Sequence, residues 1–278
     1  MYSNNFYYFF IIFIIIFVIY FILNKTKLFN KADENDIDIT KLRIKSYIIN
    51  MDKNKDRLEN VQEKYEKSDL RIIPYERFPA VVGKNIDIHE WLTEEAIVEL
   101  KQVENKKYRN YHYQLSRGGI GCFLSHYALA KQLLEDDKYD YYFNLEDDIY
   151  IADGCMGKIK IALKNVNPDW DFIIFGYHRL IYSELTNKYF ARISGFWGTH
   201  GVLMNKKGAK AFVDEVDKNK IDGQIDAYMS RMAQQGKIAI YGFLSPVFYT
   251  YNDVLSDIQV PIKPKKDIDP FNFRGYNV

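Results

Sequence analysis

Three consecutive acidic residues, Glu146, Asp147 and Asp148, directly follow the apolar run Tyr141-Tyr142-Phe143-Asn144-Leu145. The run has strand composition, so the triplet stands at a strand's carboxyl end, where ligands bind in open α/β sheets. Clustered carboxylates are hard oxygen donors suited to Mg²⁺ or Mn²⁺, and such an ion bridges the phosphates of a nucleotide. A solvated acidic turn is the other reading, and it is the one we keep for Glu135-Asp136-Asp137, which ends a helix. The buried-type strand before the second triplet separates the two cases. Asn50 and Arg57 flank an earlier strand-to-helix turn, where backbone N–H groups and a guanidinium can meet a nucleotide. Read alone, Arg57 is a surface helix residue, and no glycine fingerprint of a dinucleotide site occurs there.

Four further positions have chemistry open to them. Gly118-Gly119-Ile120-Gly121-Cys122-Phe123-Leu124-Ser125-His126 opens a helix with three glycines, which favours close backbone approach over helix stability. His126 is either a donor to a ligand or a satisfied packing residue; Cys122, among apolar neighbours, reads as a small buried hydrophobe. His200, in Trp197-Gly198-Thr199-His200-Gly201, is either a late metal ligand or a structural histidine. Asp222 and Asp226 share one face of a predicted helix; a carboxylate there can act as general base, or simply complement the helix dipole.

The elements that must hold these residues alternate β-type runs with amphipathic stretches, the pattern of a βαβ layer architecture. Strands are predicted at Ser46–Ile49, Arg71–Pro74, Tyr139–Leu145, Asp171–Gly176 and Thr199–Met204. Helices are predicted at Lys53–Lys67, from Thr93-Glu94-Glu95 onward, over Ile120–Leu134, around Lys158–Val166, after an Asn205 cap, and over Ile221–Gln235.

Length and charge bound the rest. The 278 residues carry 38 Lys+Arg against 37 Asp+Glu, which gives no basic field for nucleic acid. Two cysteines, Cys122 and Cys155, exclude a disulfide framework and match no structural zinc spacing. Phe6 to Leu23 is uncharged throughout and as a helix spans roughly 27 Å, which predicts an uncleaved single-pass membrane anchor over residues 1–24. Lys25, Lys27 and Lys31 favour a cytosolic catalytic part under the positive-inside rule without fixing the side. A polar, acidic stalk is expected over 25–42, a catalytic domain over 43–260 and a surface tail over 261–278.

Taken in order, several of these segments resemble glycosyltransferase family 25, which contains lipooligosaccharide and collagen hydroxylysine galactosyltransferases. They are Ile48-Ile49-Asn50 with Asp56-Arg57, Phe78-Pro79-Ala80-Val81-Val82-Gly83, Gly121-Cys122-Phe123-Leu124-Ser125-His126, and Leu145-Glu146-Asp147-Asp148. Trp170-Asp171, Gly208-Ala209 and Ile225-Asp226 follow. The resemblance implies a GT-A-type α/β fold, a Rossmann-like sheet with flanking helices. It also implies inverting transfer from a nucleotide sugar, most often UDP-galactose, to a glycan, lipid-linked or protein hydroxyl, with Mn²⁺ or Mg²⁺. Asp147 and Asp148 would then bind the metal, and Asn50, Arg57, Ala80, Gly83, Ser125, His126 and Glu146 would line the donor site. Asp226 matches the acidic position of the base. His200 as a further metal ligand is an inference from this chain alone. Gly119 and Thr199-His200-Gly201 depart from the family pattern on the acceptor side. A non-catalytic carbohydrate- or partner-binding protein and a metal-dependent phosphohydrolase are the rival readings.

Overall fold

Tyr142 and Phe143 point to opposite faces of one strand and both are fully buried, so the sheet that contains them must be covered on both sides. The computed structural model describes residues 37–111, 113–250 and 260. The chain divides into two compact units between Asp38 and Ile39; the first lies almost wholly outside the described residues and the second carries the fold.

Among the described residues ten strands form one mixed sheet: β1 (Ile44–Asn50), β2 (Tyr75–Pro79), β3 (Tyr141–Glu146), β4 (Ile149–Ile151), β5 (Phe172–Gly176), β6 (Arg179–Leu185), β7 (Phe190–Trp197), β8 (Gly201–Asn205), β9 (Ile240–Phe243) and β10 (Phe248–Thr250). Their order is β2-β1-β3-β8-β5-β9-β7-β6, with β10 joining β4 to β5. β1 is parallel to β2 and β3, whereas β8 runs antiparallel between β3 and β5.

The helices are α1 (Lys55–Lys67), α2 (Ile88–Trp91), α3 (Glu94–Lys106), α4 (Arg117–Glu135), α5 (Cys155–Asn165), α6 (Lys206–Asn219) and α7 (Ile225–Gln234). One apolar cluster joins Tyr47, Tyr142, Phe172 and Ile174 to α2, α3, α4, α6 and α7. The other joins Ile48, Phe143, Leu145, Ile173 and Phe175 to α1 and α5. Helix starts follow the expected chemistry: Thr93, Ser116 and Asn205 side chains accept the backbone N–H of Ala96, Gly119 and Gly208 at 3.2, 3.0 and 2.7 Å.

Three expectations are corrected. Arg71–Pro74 is not a strand: Ser68 Oγ accepts Leu70 N–H at 3.2 Å and caps a 3₁₀ turn over Asp69–Ile72, so β2 starts just past Pro74. The last helix begins at Ile225, because the Ile221 backbone is engaged with the Trp91 carbonyl and bridges to Leu92. A single-pass membrane anchor is not supported: among the described residues no helix is long and apolar enough to cross a membrane. Residues 6–23, on which that expectation rested, lie outside the described residues, as do most of the stalk and the whole tail.

Gly121 of α4 and Gly83 in the facing loop are fixed by close approach. A Cβ on Gly121 would stand 2.3 Å from the Val81 carbonyl oxygen, and one on Gly83 only 1.9 Å from the Arg117 carbonyl oxygen. In an unencumbered helix Gly→Ala gains up to about 1 kcal/mol. We predict the opposite sign for Gly121→Ala, a loss of roughly 1–3 kcal/mol from overpacking against the 80–83 loop. Thermal denaturation checks it, and an unchanged or raised Tm contradicts the packing described.

Candidate functional site

Parallel pairing in the register Ile49↔Glu146 sets the carboxyl ends of β1 and β3 side by side. The acidic triplet therefore meets the first strand-to-helix turn. Asn50, 2% exposed, donates from Nδ2 to Asp147 Oδ2 at 2.6 Å and to the Asn54 carbonyl at 2.9 Å, while its Oδ1 accepts from Arg77 Nε at 3.0 Å. One turn into α1, Arg57 Nη1 lies 3.3 Å from Asp147 Oδ1 and 3.9 Å from Asp148 Oδ2. Across from these, Val81 N–H donates to Ser125 Oγ at 2.9 Å, and that hydroxyl donates to the Gly121 carbonyl at 2.7 Å. The 80–83 loop is thus sutured to the start of α4.

Between these walls lies a pocket of about 360 Å³. Its acidic pole is Glu146, Asp147 and Asp148; Lys53, Arg57, Lys84 and Arg117 supply cationic groups around it, and Ala80 to Gly83 supply one wall. Ser125, His126 and Cys122 line it as well. Of the predicted donor-site residues, Arg57, Ala80, Gly83, Ser125, His126, Glu146, Asp147 and Asp148 all reach this pocket, and Asn50 stands behind Asp147.

His200 and Asp226 are not among the residues lining the pocket. His200 Nδ1 meets Glu146 Oε2 at 3.2 Å, and Thr199 Oγ1 donates to Glu146 Oε1 at 2.8 Å. Asp226 sits in the first turn of α7, where its two oxygens accept the backbone N–H groups of Gly198 and Ala227 at 3.1 and 2.8 Å. Gly198 has φ +88°, and a Cβ there would stand 2.7 Å from His200 Nε2.

Electrostatics divide the triplet. Burial works to raise the Glu146 carboxyl, yet His200 and Thr199 together hold it below the usual carboxylate range. For Asp148, burial and the Glu146 and Asp147 charges act in the same direction and raise it, with Arg57 opposing. Asp147 is also raised by burial, against the Asn50 and Arg57 contacts. Burial lowers His200, but Glu146, Asp148 and Asp226 outweigh it and the net shift is upward. Burial raises the Asp226 carboxyl.

Asp147 and Asp148 offer oxygen donors of the kind a hard divalent cation takes, although among the described residues the group of three ligands drawn within reach of one another is Cys122, His126 and Glu146. Asp148 Oδ1 is buried with no hydrogen-bond partner, two of three adjacent carboxyls are pushed toward protonation, and oxygen donors dominate. Sequence reading missed Lys53, Lys84 and Arg117, since single cations among 38 form no pattern. It also missed Thr199 and the pocket position of Cys122. Asn144 was detectable as the one amide in an apolar strand; its Nδ2 lies 3.3 Å from His126 Nδ1.

Comparison with known proteins follows the same segments. The family model for glycosyltransferase family 25 (LPS biosynthesis protein) matches residues 43–185. A protein of Acanthamoeba polyphaga mimivirus named as a glycosyltransferase is 27% identical over 185 residues, 62% of this chain and 52% of its own length. A glycosyltransferase 25 family member of Aedes aegypti is 26% identical over 196 residues (67% of this chain, 30% of that one). Procollagen galactosyltransferase 1-A of Xenopus laevis is 27% identical over 187 residues (60% and 28%). The chain thus spans about half the length of the viral relative and under a third of the animal ones. A solved glycosyltransferase involved in glycosylation of the major capsid of PBCV-1 aligns over 76% of this chain and 94% of its own, at 7% identity and a TM-score of 0.39, too low to carry an argument.

The crowded carboxylates have a measurable linkage. An Asp148 carboxyl raised in the folded state costs stability as pH climbs above the unfolded value near 4, and the cost is complete above the folded value. Asp148→Asn, free of added metal, is therefore predicted to match wild type near pH 4 and to exceed it near pH 7 by about 1–2 kcal/mol. Urea unfolding at the two pH values checks this; a variant less stable than wild type at pH 7 contradicts it.

Proposed function

The chain belongs to glycosyltransferase family 25, and on that premise we propose that it moves a hexose from a nucleotide sugar to a hydroxyl acceptor on a GT-A-type fold. The donor we assign is UDP-galactose, the acceptor a glycan, lipid-linked or protein hydroxyl, and the metal Mn²⁺ or Mg²⁺. One observation carries the reading: a carboxylate pole and four cationic side chains line one pocket at the carboxyl ends of β1 and β3. A nucleoside diphosphate sugar needs cations along its phosphates. A divalent ion needs the carboxylates.

Asp147 and Asp148 would hold the metal, with Glu146 beside them and His200, whose Nε2 is buried without a partner, as a further ligand. When bound, the ion supplies positive charge that offsets the charge growing on the leaving diphosphate. The chain's own groups do the remaining work. Arg57 ties down Asp147 and offers a guanidinium to the phosphates; Lys53, Lys84 and Arg117 add charge around the same pocket. Asn50 fixes Asp147 by a 2.6 Å bond, so the acidic pole is held in place before a ligand arrives. The 80–83 loop, pinned through Ser125, presents backbone to the nucleotide. Asp226 is our assignment for the base that takes the acceptor hydroxyl's proton. Burial raises its carboxyl, which makes it a stronger base, and each oxygen that accepts a backbone N–H keeps a second lone pair.

Purified protein supplied with labelled nucleotide sugars and Mn²⁺ tests the reading. We expect slow metal-dependent hydrolysis of UDP-galactose without acceptor. Release of inorganic phosphate would point to a phosphohydrolase, and inert donor with intact binding to a carbohydrate-binding module. Within the same assay, Asp148→Asn is predicted to lose Mn²⁺-dependent UDP binding and turnover together. Asp226→Asn should keep UDP binding while turnover falls roughly 10²–10⁴-fold, the scale of a lost general base. If both variants bind UDP·Mn²⁺ as wild type does, the acidic triplet is not the metal site. Arg57→Ala should weaken UDP about tenfold or more, the loss of one charge-assisted contact.

A further inference from the structure

Cys122, His126 and Glu146 each turn a ligand atom to one place, and all three atoms lie within 4.8 Å of one another. Cys122 and His126 are four apart on α4, one helical turn, so their side chains share a face; Glu146 comes from the end of β3. All three line the pocket, which gives an ion an access route from solvent.

The second observation is the state of the histidine. His126 is 4% exposed and its Nδ1 faces Asn144, so the ring nitrogen left for a ligand is Nε2, which is buried with no hydrogen-bond partner. An unpaired ring nitrogen at that depth is costly unless something binds it. Asn144 Oδ1 is likewise buried without a partner. With the amide turned so that Oδ1 accepts from Nδ1–H, Nε2 carries a lone pair, the tautomer a metal requires, and Asn144 becomes the outer group that orients the ring. Behind Glu146, Thr199 and His200 fix the carboxylate in the same outer role.

We propose that Cys122 Sγ, His126 Nε2 and a Glu146 carboxylate oxygen form a binding site for a borderline divalent cation of the zinc class, separate from the hard-ion position at Asp147 and Asp148. The donor chemistry sets the class: thiolate and imidazole select zinc-like ions, whereas Mg²⁺ and Mn²⁺ prefer all-oxygen sets. Three protein ligands leave a fourth position open toward the pocket, as in sites where zinc keeps an exchangeable ligand. Bond lengths of about 2.0–2.3 Å in a tetrahedron put ligand atoms about 3.3–3.6 Å apart. With Glu146 held by Thr199 and His200, rotation of the half-buried Cys122 side chain supplies the contraction from within 4.8 Å to about 3.3–3.6 Å. On binding, the Cys122 S–H bond breaks, sulfur keeps the electron pair and bonds the cation, and one proton goes to solvent. The site does not depend on the sugar donor, so it goes beyond the transferase reading.

The test uses the full chain, stripped with chelator and titrated with Co²⁺ as a spectroscopic probe, then with Zn²⁺. We expect a near-ultraviolet thiolate-to-cobalt charge-transfer band that Zn²⁺ displaces, and that is absent in Cys122→Ser. Asn144→Ala should weaken Zn²⁺ about 10–100-fold, the scale of a lost outer-shell partner. A measurement without variants guards against misfolding: Zn²⁺ should protect Cys122 from alkylation in the wild-type chain, and Cys155, fully buried against Asp69, is the internal control. Asp148→Asn should keep the cobalt band while losing Mn²⁺-dependent UDP binding, which separates failure of this site from failure of the transferase reading. Cobalt binding without a thiolate band, a band that survives in Cys122→Ser, or alkylation of Cys122 unaffected by Zn²⁺ each overturns the proposal.

Discussion

Three carboxylates in succession at the end of a buried strand are an electrostatic problem that the surrounding residues are arranged to contain. Each charge loses hydration at that depth and repels the next, which is why the Asp147 and Asp148 carboxyls are pushed upward. Partial relief comes from three directions. Asn50 reaches across from β1, Arg57 from the first turn of α1, and Thr199 with His200 from the segment before β8. Arg57 reaches Asp148 Oδ2 only at 3.9 Å, and Asp148 Oδ1 stays buried without a hydrogen-bond partner. Folding has therefore concentrated negative charge at one point and left part of it uncompensated, which favours a cation there.

The sheet makes this possible through one parallel neighbour and one antiparallel one. β1 runs parallel to β3, so both strands end together and their following turns converge. β8 runs antiparallel to β3 and pairs Leu145 with Gly201, which brings Thr199 and His200 back to Glu146. Gly83 and Gly121 complete the enclosure by allowing backbone contact where any Cβ would intrude. The glycines and the carboxylates are thus parts of one constraint: the pocket wall must come close, and the acidic pole must face it.

Much of this was legible in the sequence because the signals were local. An apolar strand followed by Glu146-Asp147-Asp148 carries its own placement at a strand end, and Thr93 and Asn205 announce their helices through short-range capping. Nearly all the residues that the ordered motifs single out for a donor site line one pocket. What escaped was non-local or lacked a pattern. β6 is mostly exposed and rich in polar residues, so it offers no apolar period, and β4, β9 and β10 are only three or four residues long. The antiparallel insertion of β8 and the position of Cys122 depend on pairings between segments far apart in sequence. The alternation that predicted a βαβ architecture was right for β1, α1 and β2, and silent on the mixed half of the sheet.

We propose that the charge at Asp148 draws a hard divalent cation to a nucleotide diphosphate. Anomalous diffraction at the manganese edge, from crystals grown with UDP and Mn²⁺, tests it most directly. The account predicts one peak about 2.1 Å from an Asp148 carboxylate oxygen, bridged to the diphosphate, with the phosphates toward Arg57 and Lys84. A peak away from the acidic triplet, or UDP bound in the pocket with no ion at Asp148, would contradict it.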